Sequence, residues 1–145
     1  MRRLLALALA AALPAALVAE VAKPSDLAPI MAMGAYVPTD DMEESEAFYR
    51  TLFDSVPAIG LPDFVAFDVA GGWFAIVSRD RYAKGSVAGS GAVPYLQSAD
   101  LEALQIRVTA AGINAPEIIE EPGIDLLKIT DPNGQLIEFF KLTGQ

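Results

Sequence analysis

Glu138 and Lys128 stand out among the side chains able to do chemistry, because a turn sets them face to face. Pro132 suits the second position of a type I turn, and Gly134 supplies the left-handed residue that follows in a bulged hairpin. That geometry pairs Asp131 with Gln135 and, counting inward, puts Lys128 opposite Glu138 on one sheet face. If the two meet, the ion pair keeps Glu138 charged and structural. If Glu138 instead points alone into apolar surroundings, its carboxylate is desolvated and becomes a candidate general base. The ion pair is the favoured expectation. Much other chemistry is excluded by composition, since the 145 residues contain no histidine and no cysteine. Zinc or iron held by imidazole or thiolate, Cys or His nucleophiles and His bases are all ruled out. What remains is carboxylates, Lys, Arg, Tyr, Ser and Thr.

The elements that must carry these groups occur twice along the chain. A short apolar strand (31–37), an acidic helix (41–53) and strand-like runs Phe64–Val69 and Trp73–Ser78 joined by Gly71-Gly72 make the first half. The second half has a strand at 93–97, a helix at 99–111, and strands at 126–130 and 135–142 joined by Asp131-Pro132-Asn133-Gly134. With short second strands near 56–61 and 117–120, the order strand, helix, strand, strand, strand is repeated. The flexible stretch GSVAGSG, residues 85–91, joins the halves. In the first helix, Asp40 and Glu43 have capping-box spacing, and Met42, Ser45, Phe48, Tyr49, Leu52 and Phe53 recur at three and four residues as a buried stripe. In the second, Ser98 is the expected N-cap, Leu101, Leu104, Val108 and Ala111 form the stripe, and Gly112 the stop.

Ahead of these halves, residues 1–19 read MRRLLALALAAALPAALVA. A positive start, a Leu/Ala run, the Pro14 break and the small residue Ala19 before Glu20 fit a secretory signal. Cleavage would leave no stable membrane anchor, and a periplasmic or secreted location is the expectation. Residues 20–29, EVAKPSDLAP, read as a linker. The domain proper is then 30–143, with modules at 30–84 and 91–143. The formal charge of −9 deepens once Arg2 and Arg3 are lost with the leader. Such a field repels nucleic acid. Without cysteine, stability must come from burial alone.

A twice-repeated βαβββ unit whose first helix reads EAFYRTLF and whose last hairpin reads DPNGQLIEFF resembles the vicinal oxygen chelate superfamily. This superfamily contains glyoxalase I, extradiol dioxygenases and the bleomycin-resistance proteins. The resemblance covers residues 31–142. It implies an α+β fold, in which two tandem βαβββ modules curl their mixed sheets into an open barrel or cup. In such proteins a metal, where there is one, is held by the first and last strands of each module. Aligning the two halves on Asp41 with Asp100, and Gly72 with Gly134, places those positions at Gly34, Ile76, Val93 and Glu138. Only Glu138 can donate to a metal, so no metal or other cofactor is expected. Glyoxalase or dioxygenase activity by the usual mechanism is not expected either, and whether the chain is an enzyme stays open.

Strand alternation then gives the cup its lining: Tyr36, Phe64, Phe74, Ile76, Val93, Tyr95, Lys128 and Phe140, with Glu138 among them. These residues are mostly apolar or aromatic, as in small-molecule pockets. The expectation is metal-independent binding of an aromatic or amphipathic small molecule by an exported, bleomycin-resistance-like protein that forms a homodimer. The alternative is a metal-free isomerase or lyase with Glu138 as general base. A cup filled by its own side chains, or closed by an interface, is the competing structural reading. Trp73 is either a packed hairpin residue or an exposed anchor for an aromatic ligand.

Overall fold

The computed structural model describes residues 31–114 and 116–144; the expected leader and linker lie outside the described residues. The elements run β1 (Gly34–Thr39), α1 (Met42–Phe53), β2 (Ile59–Leu61), β3 (Phe64–Val69), β4 (Gly72–Ser78), α2 (Arg79–Tyr82), β5 (Tyr95–Gln97), α3 (Leu101–Ala110), β6 (Ile118–Glu121), β7 (Ile124–Thr130) and β8 (Leu136–Leu142). Two four-stranded sheets have the orders β1-β4-β3-β2 and β5-β8-β7-β6. In each, the first strand pairs parallel with the last and the other pairs are antiparallel. The parallel pairs arise because a helix intervenes after β1 and after β5, and such a crossover returns the chain in the same direction. This is the α+β, tandem βαβββ architecture expected from the sequence.

Helices α1 and α3 begin one or two residues later than their sequence signals suggest. Asp41, not Asp40, caps α1, accepting the Glu44 N–H at 2.9 Å. Asp40 is turned outward, and its carboxylate takes the Arg79 Nε–H at 2.8 Å. Asp100, not Ser98, caps α3 by accepting the Ala103 N–H at 2.9 Å. That backbone hydrogen bond is the main reason the Asp100 carboxyl is held below the usual carboxylate range. Ser98 shapes the approach instead, its Oγ accepting the Asp100 N–H at 3.2 Å.

The helices cover one face of each sheet, and a single apolar cluster joins the two modules. Phe67 and Ile76 reach it from the first sheet, Leu127 and Ile137 from the second, and Tyr49, Leu52 and Val108 from the helices. Complete burial of such a Leu, Ile or Phe side chain is worth about 1.5–3 kcal/mol relative to exposure. Rings in the first module interlock: Tyr49 lies 4.8 Å from Phe74, and Phe53 lies 5.1 Å from Phe74, centroid to centroid.

This packing corrects the expected orientation of β4. Phe74 and Ile76, read as cup residues, have their side chains in the helix-side core. Ala75 and Val77 face the other way, in a separate small cluster with Ala66 and Phe64. The cause is a difference of one residue between the two hairpins. Val69 pairs with Gly72 across a two-residue turn, Ala70-Gly71, with φ of 52° and 79°, the type I′ geometry of tight hairpins. The corresponding turn between β7 and β8 has three residues between Asp131 and Gln135, whose N–H and C=O bond at 3.0 Å. A slip of one residue turns every side chain of a strand over. The register makes Tyr36 and Tyr95 equivalent, through their partners Ala75 and Glu138. Ala75, not Ile76, therefore occupies the position matching Glu138.

Candidate functional site

The Asp131–Gln135 turn sets the modules against each other. Asp131 Oδ1 accepts the N–H groups of Asn133 at 2.9 Å and Gln135 at 2.8 Å. Its Oδ2 accepts the Tyr49 hydroxyl at 2.7 Å. Burial, reinforced by the charge of Asp131 and by this hydrogen bond, pushes the Tyr49 phenol well above its ordinary range. Asn133 Oδ1 accepts the Thr39 hydroxyl at 2.8 Å, and its Nδ2 donates to Ser45 Oγ at 2.8 Å. The turn of the second module is thus tied to the end of β1 and to α1 of the first. This latch is absent from the sequence reading. Its signals there are a serine inside an apolar helical stripe and a buried tyrosine whose hydroxyl must find a partner.

With the modules held in this way, a hollow of about 700 Å³ opens along the seam where β1 and β5 present their unpaired edges. The expected ligand residues Tyr36, Val93 and Tyr95 line it. Phe74 borders it while its ring remains in the core. Tyr36 is 58% exposed, Tyr95 51% and Trp73 44%, so three large aromatic side chains border the hollow without being consumed by packing. Trp73 is thus half-exposed at the border of the hollow rather than buried in the hairpin. Phe140 does not line the hollow, but its ring stacks on Tyr95 at 4.2 Å and 11°, fixing that side of the wall. Ile76 is in the core, and Phe64 packs by Tyr82 at 6.2 Å, away from the seam.

Lys128 and Glu138 meet as the turn register requires. They are cross-strand partners, and Lys128 Nζ lies 3.0 Å from Glu138 Oε2. Neither lines the hollow, although Glu138 is the strand neighbour of Tyr95. Sequence reasoning also missed Gln135, which is buried and lines the seam. Its Nε2 donates to Leu136 O at 2.9 Å and to Ala92 O at 3.3 Å, pinning the segment before β5 onto β8. A polar residue next to a turn carries no sequence signal for that bridge.

A metal does not fit this donor set. Gly34, Ala75 and Val93 offer no side-chain ligand beside Glu138, and Glu138 is already paired with Lys128. Among the described residues no three His, Cys, Asp or Glu side chains gather as a metal site would require.

Neither the protein-family models nor the curated proteins include a match to this chain. Solved structures do match. A lactoylglutathione lyase from Agrobacterium tumefaciens superposes with a TM-score of 0.62 at 21% identity, over 78% of this chain and 94% of that one. A glyoxalase / bleomycin resistance protein from Catenulispora acidiphila gives 0.64 at 23% identity, over 78% and 99%. A glyoxalase/bleomycin resistance protein/dioxygenase from Alicyclobacillus acidocaldarius gives 0.59 at 20% identity, over 78% and 92%. The fold is that of these proteins, as the superfamily resemblance in the sequence implies.

Proposed function

We propose that the chain is an exported, metal-independent protein that binds an aromatic or amphipathic small molecule in the seam hollow and works as a homodimer. The observation that carries this reading is the hollow itself: 700 Å³ bordered by three half-exposed aromatic residues. That volume lies within the range of small-molecule sites, about 300–1,000 Å³. Export is supported by Arg2 and Arg3 followed by a Leu/Ala run that ends in small residues. The Lys128–Glu138 pair counts against a metal-free isomerase or lyase with Glu138 as base, because an ion-paired carboxylate outside the hollow is poorly placed to take a substrate proton.

The test is native mass spectrometry, with elemental analysis, of protein purified from its own compartment. A retained organic mass, lost on denaturation, is the expected result. Stoichiometric zinc, nickel, manganese or iron would overturn metal independence. Absence of any retained or added small-molecule ligand would overturn the binding assignment.

A further inference from the structure

Among the described residues, no charged side chain lines the wall of the seam hollow. One residue in five of this chain is charged, yet none of the nineteen residues around the hollow is. At the average frequency about four would be. The charged residues next to the wall are paired: Glu138, the strand neighbour of Tyr95, with Lys128, and Arg79, which donates to Pro38 O at 3.1 Å, with Asp40. Asp68, the strand partner of Trp73, is outside the lining and has Oδ1 occupied by the Gly71 N–H at 3.0 Å. What the wall does supply is neutral hydrogen-bonding groups: the Tyr36 and Tyr95 hydroxyls, the Trp73 indole N–H and free main chain. The main-chain N–H of Trp73, distinct from its indole, donates to Met33 O at 3.2 Å. The peptide groups of Met33, Ala35 and Val37 therefore address β4, and by alternation those of Gly34 and Tyr36 address the seam.

Resting on the small-molecule reading above, we infer that this site selects uncharged ligands: a flat aromatic body carrying neutral donors or acceptors, with no ionised group to be buried. The physical reason is desolvation. An ion moved into an apolar hollow loses hydration and finds no counter-charge, whereas a neutral N–H or C=O recovers its hydrogen bond from the exposed strand edges. The acidity of the whole protein makes the opposite expectation natural, namely capture of cations by a long-range field. The two differ in salt, because that field is screened within about 3 Å at 1 M ionic strength while the cost of desolvation remains.

The experiment uses two dyes sharing one skeleton and a third, cationic dye of different skeleton. 1-N-phenylnaphthylamine is neutral, and 1-anilinonaphthalene-8-sulfonate adds a fixed negative charge; thioflavin T serves as the cation. Trp73 is the only tryptophan of the chain, so energy transfer from it reports dye at the seam, and Trp73→Phe supplies the blank. In about 1 M NaCl the neutral dye is expected to bind roughly tenfold or more tighter than the sulfonate or thioflavin T. Val93→Lys, at a half-exposed wall position, is expected to raise sulfonate affinity roughly tenfold, and Ala92→Lys is the second variant should the first fail to fold. Equal affinity for the charged and neutral dyes in high salt, or a preference for thioflavin T, overturns charge exclusion while leaving small-molecule binding intact. No transfer from Trp73 to any of the three overturns both.

Discussion

Tyr49 shows how a single hydroxyl can couple two modules. The residue is fully buried, and its one polar atom is matched by Asp131 from the other half of the chain. Removing that oxygen leaves a buried carboxylate oxygen without its donor. Tyr49→Phe is therefore expected to cost about 1.5–3 kcal/mol, read from urea denaturation. A loss below about 0.5 kcal/mol would mean that water replaces the phenol without penalty. The pair also predicts a slope with pH. The folded state holds the phenol protonated beyond the ordinary tyrosine range, so its contribution is complete below the unfolded pKa of about 10 and declines as pH rises above it. Tyr49→Phe should flatten that alkaline loss in denaturation series run on either side of pH 10. Glu138 is expected to behave differently. Its partner Lys128 is half-exposed, and pairs of that kind are worth about 0.2–1 kcal/mol. Glu138→Gln should cost no more than this and leave binding of the neutral dye unchanged. A loss of dye binding would move the pair into the site.

The elements show which parts of the architecture are legible from residue types. Ala70 is a non-glycine residue at φ 52° in the β3–β4 turn, where a side chain meets the steric cost of the left-handed region. Asparagine tolerates that conformation, and Asn-Gly is the preferred pair for the turn. Ala70→Asn should accordingly stabilise the fold by about 0.5–1 kcal/mol, measurable as an upward shift in the denaturation midpoint with an unchanged slope. The same turn explains where sequence reading fails. Ala70, Gly71 and Gly72 permit more than one placement of a two-residue turn, so the parity of β4 is not determined locally, and Phe74 and Ile76 are assigned to the wrong face. The last hairpin is different. Proline at 132 and glycine at 134 leave one comfortable turn, and Lys128 meets Glu138 as counted. Tyr36, Val93 and Tyr95 are legible as lining residues of one hollow because the repeat itself relates the two edge strands. The latch through Asn133 and Ser45 is not recoverable in this way, because it joins residues 88 positions apart and neither carries a local signal of the other.

At the scale of the molecule, two proposals bear on how the protein meets its surroundings. Export predicts that expression of the full chain yields a mature protein starting at Glu20, seen as the corresponding N-terminal peptide by mass spectrometry; an intact Met1 terminus on exported protein would contradict it. Dimerisation has a stricter consequence, because the same exposed aromatic residues can serve a ligand or a partner but not both at once. Beyond the seam, Leu61 on the edge strand β2 is 57% exposed, and apolar residues on open edges invite pairing with a second copy. If the homodimer forms through such an outer edge, the hollow stays free, and the affinity for 1-N-phenylnaphthylamine is the same at protein concentrations above and below the dimer dissociation constant. If the dimer instead closes over Tyr36, Trp73 and Tyr95, association competes with the dye, and its apparent affinity weakens as protein concentration rises. Sedimentation equilibrium at matched concentrations supplies the dimer constant, and Leu61→Lys is expected to yield folded monomer with unaltered dye affinity. Monomer that binds dye more tightly than the dimer would instead locate the interface on the aromatic wall.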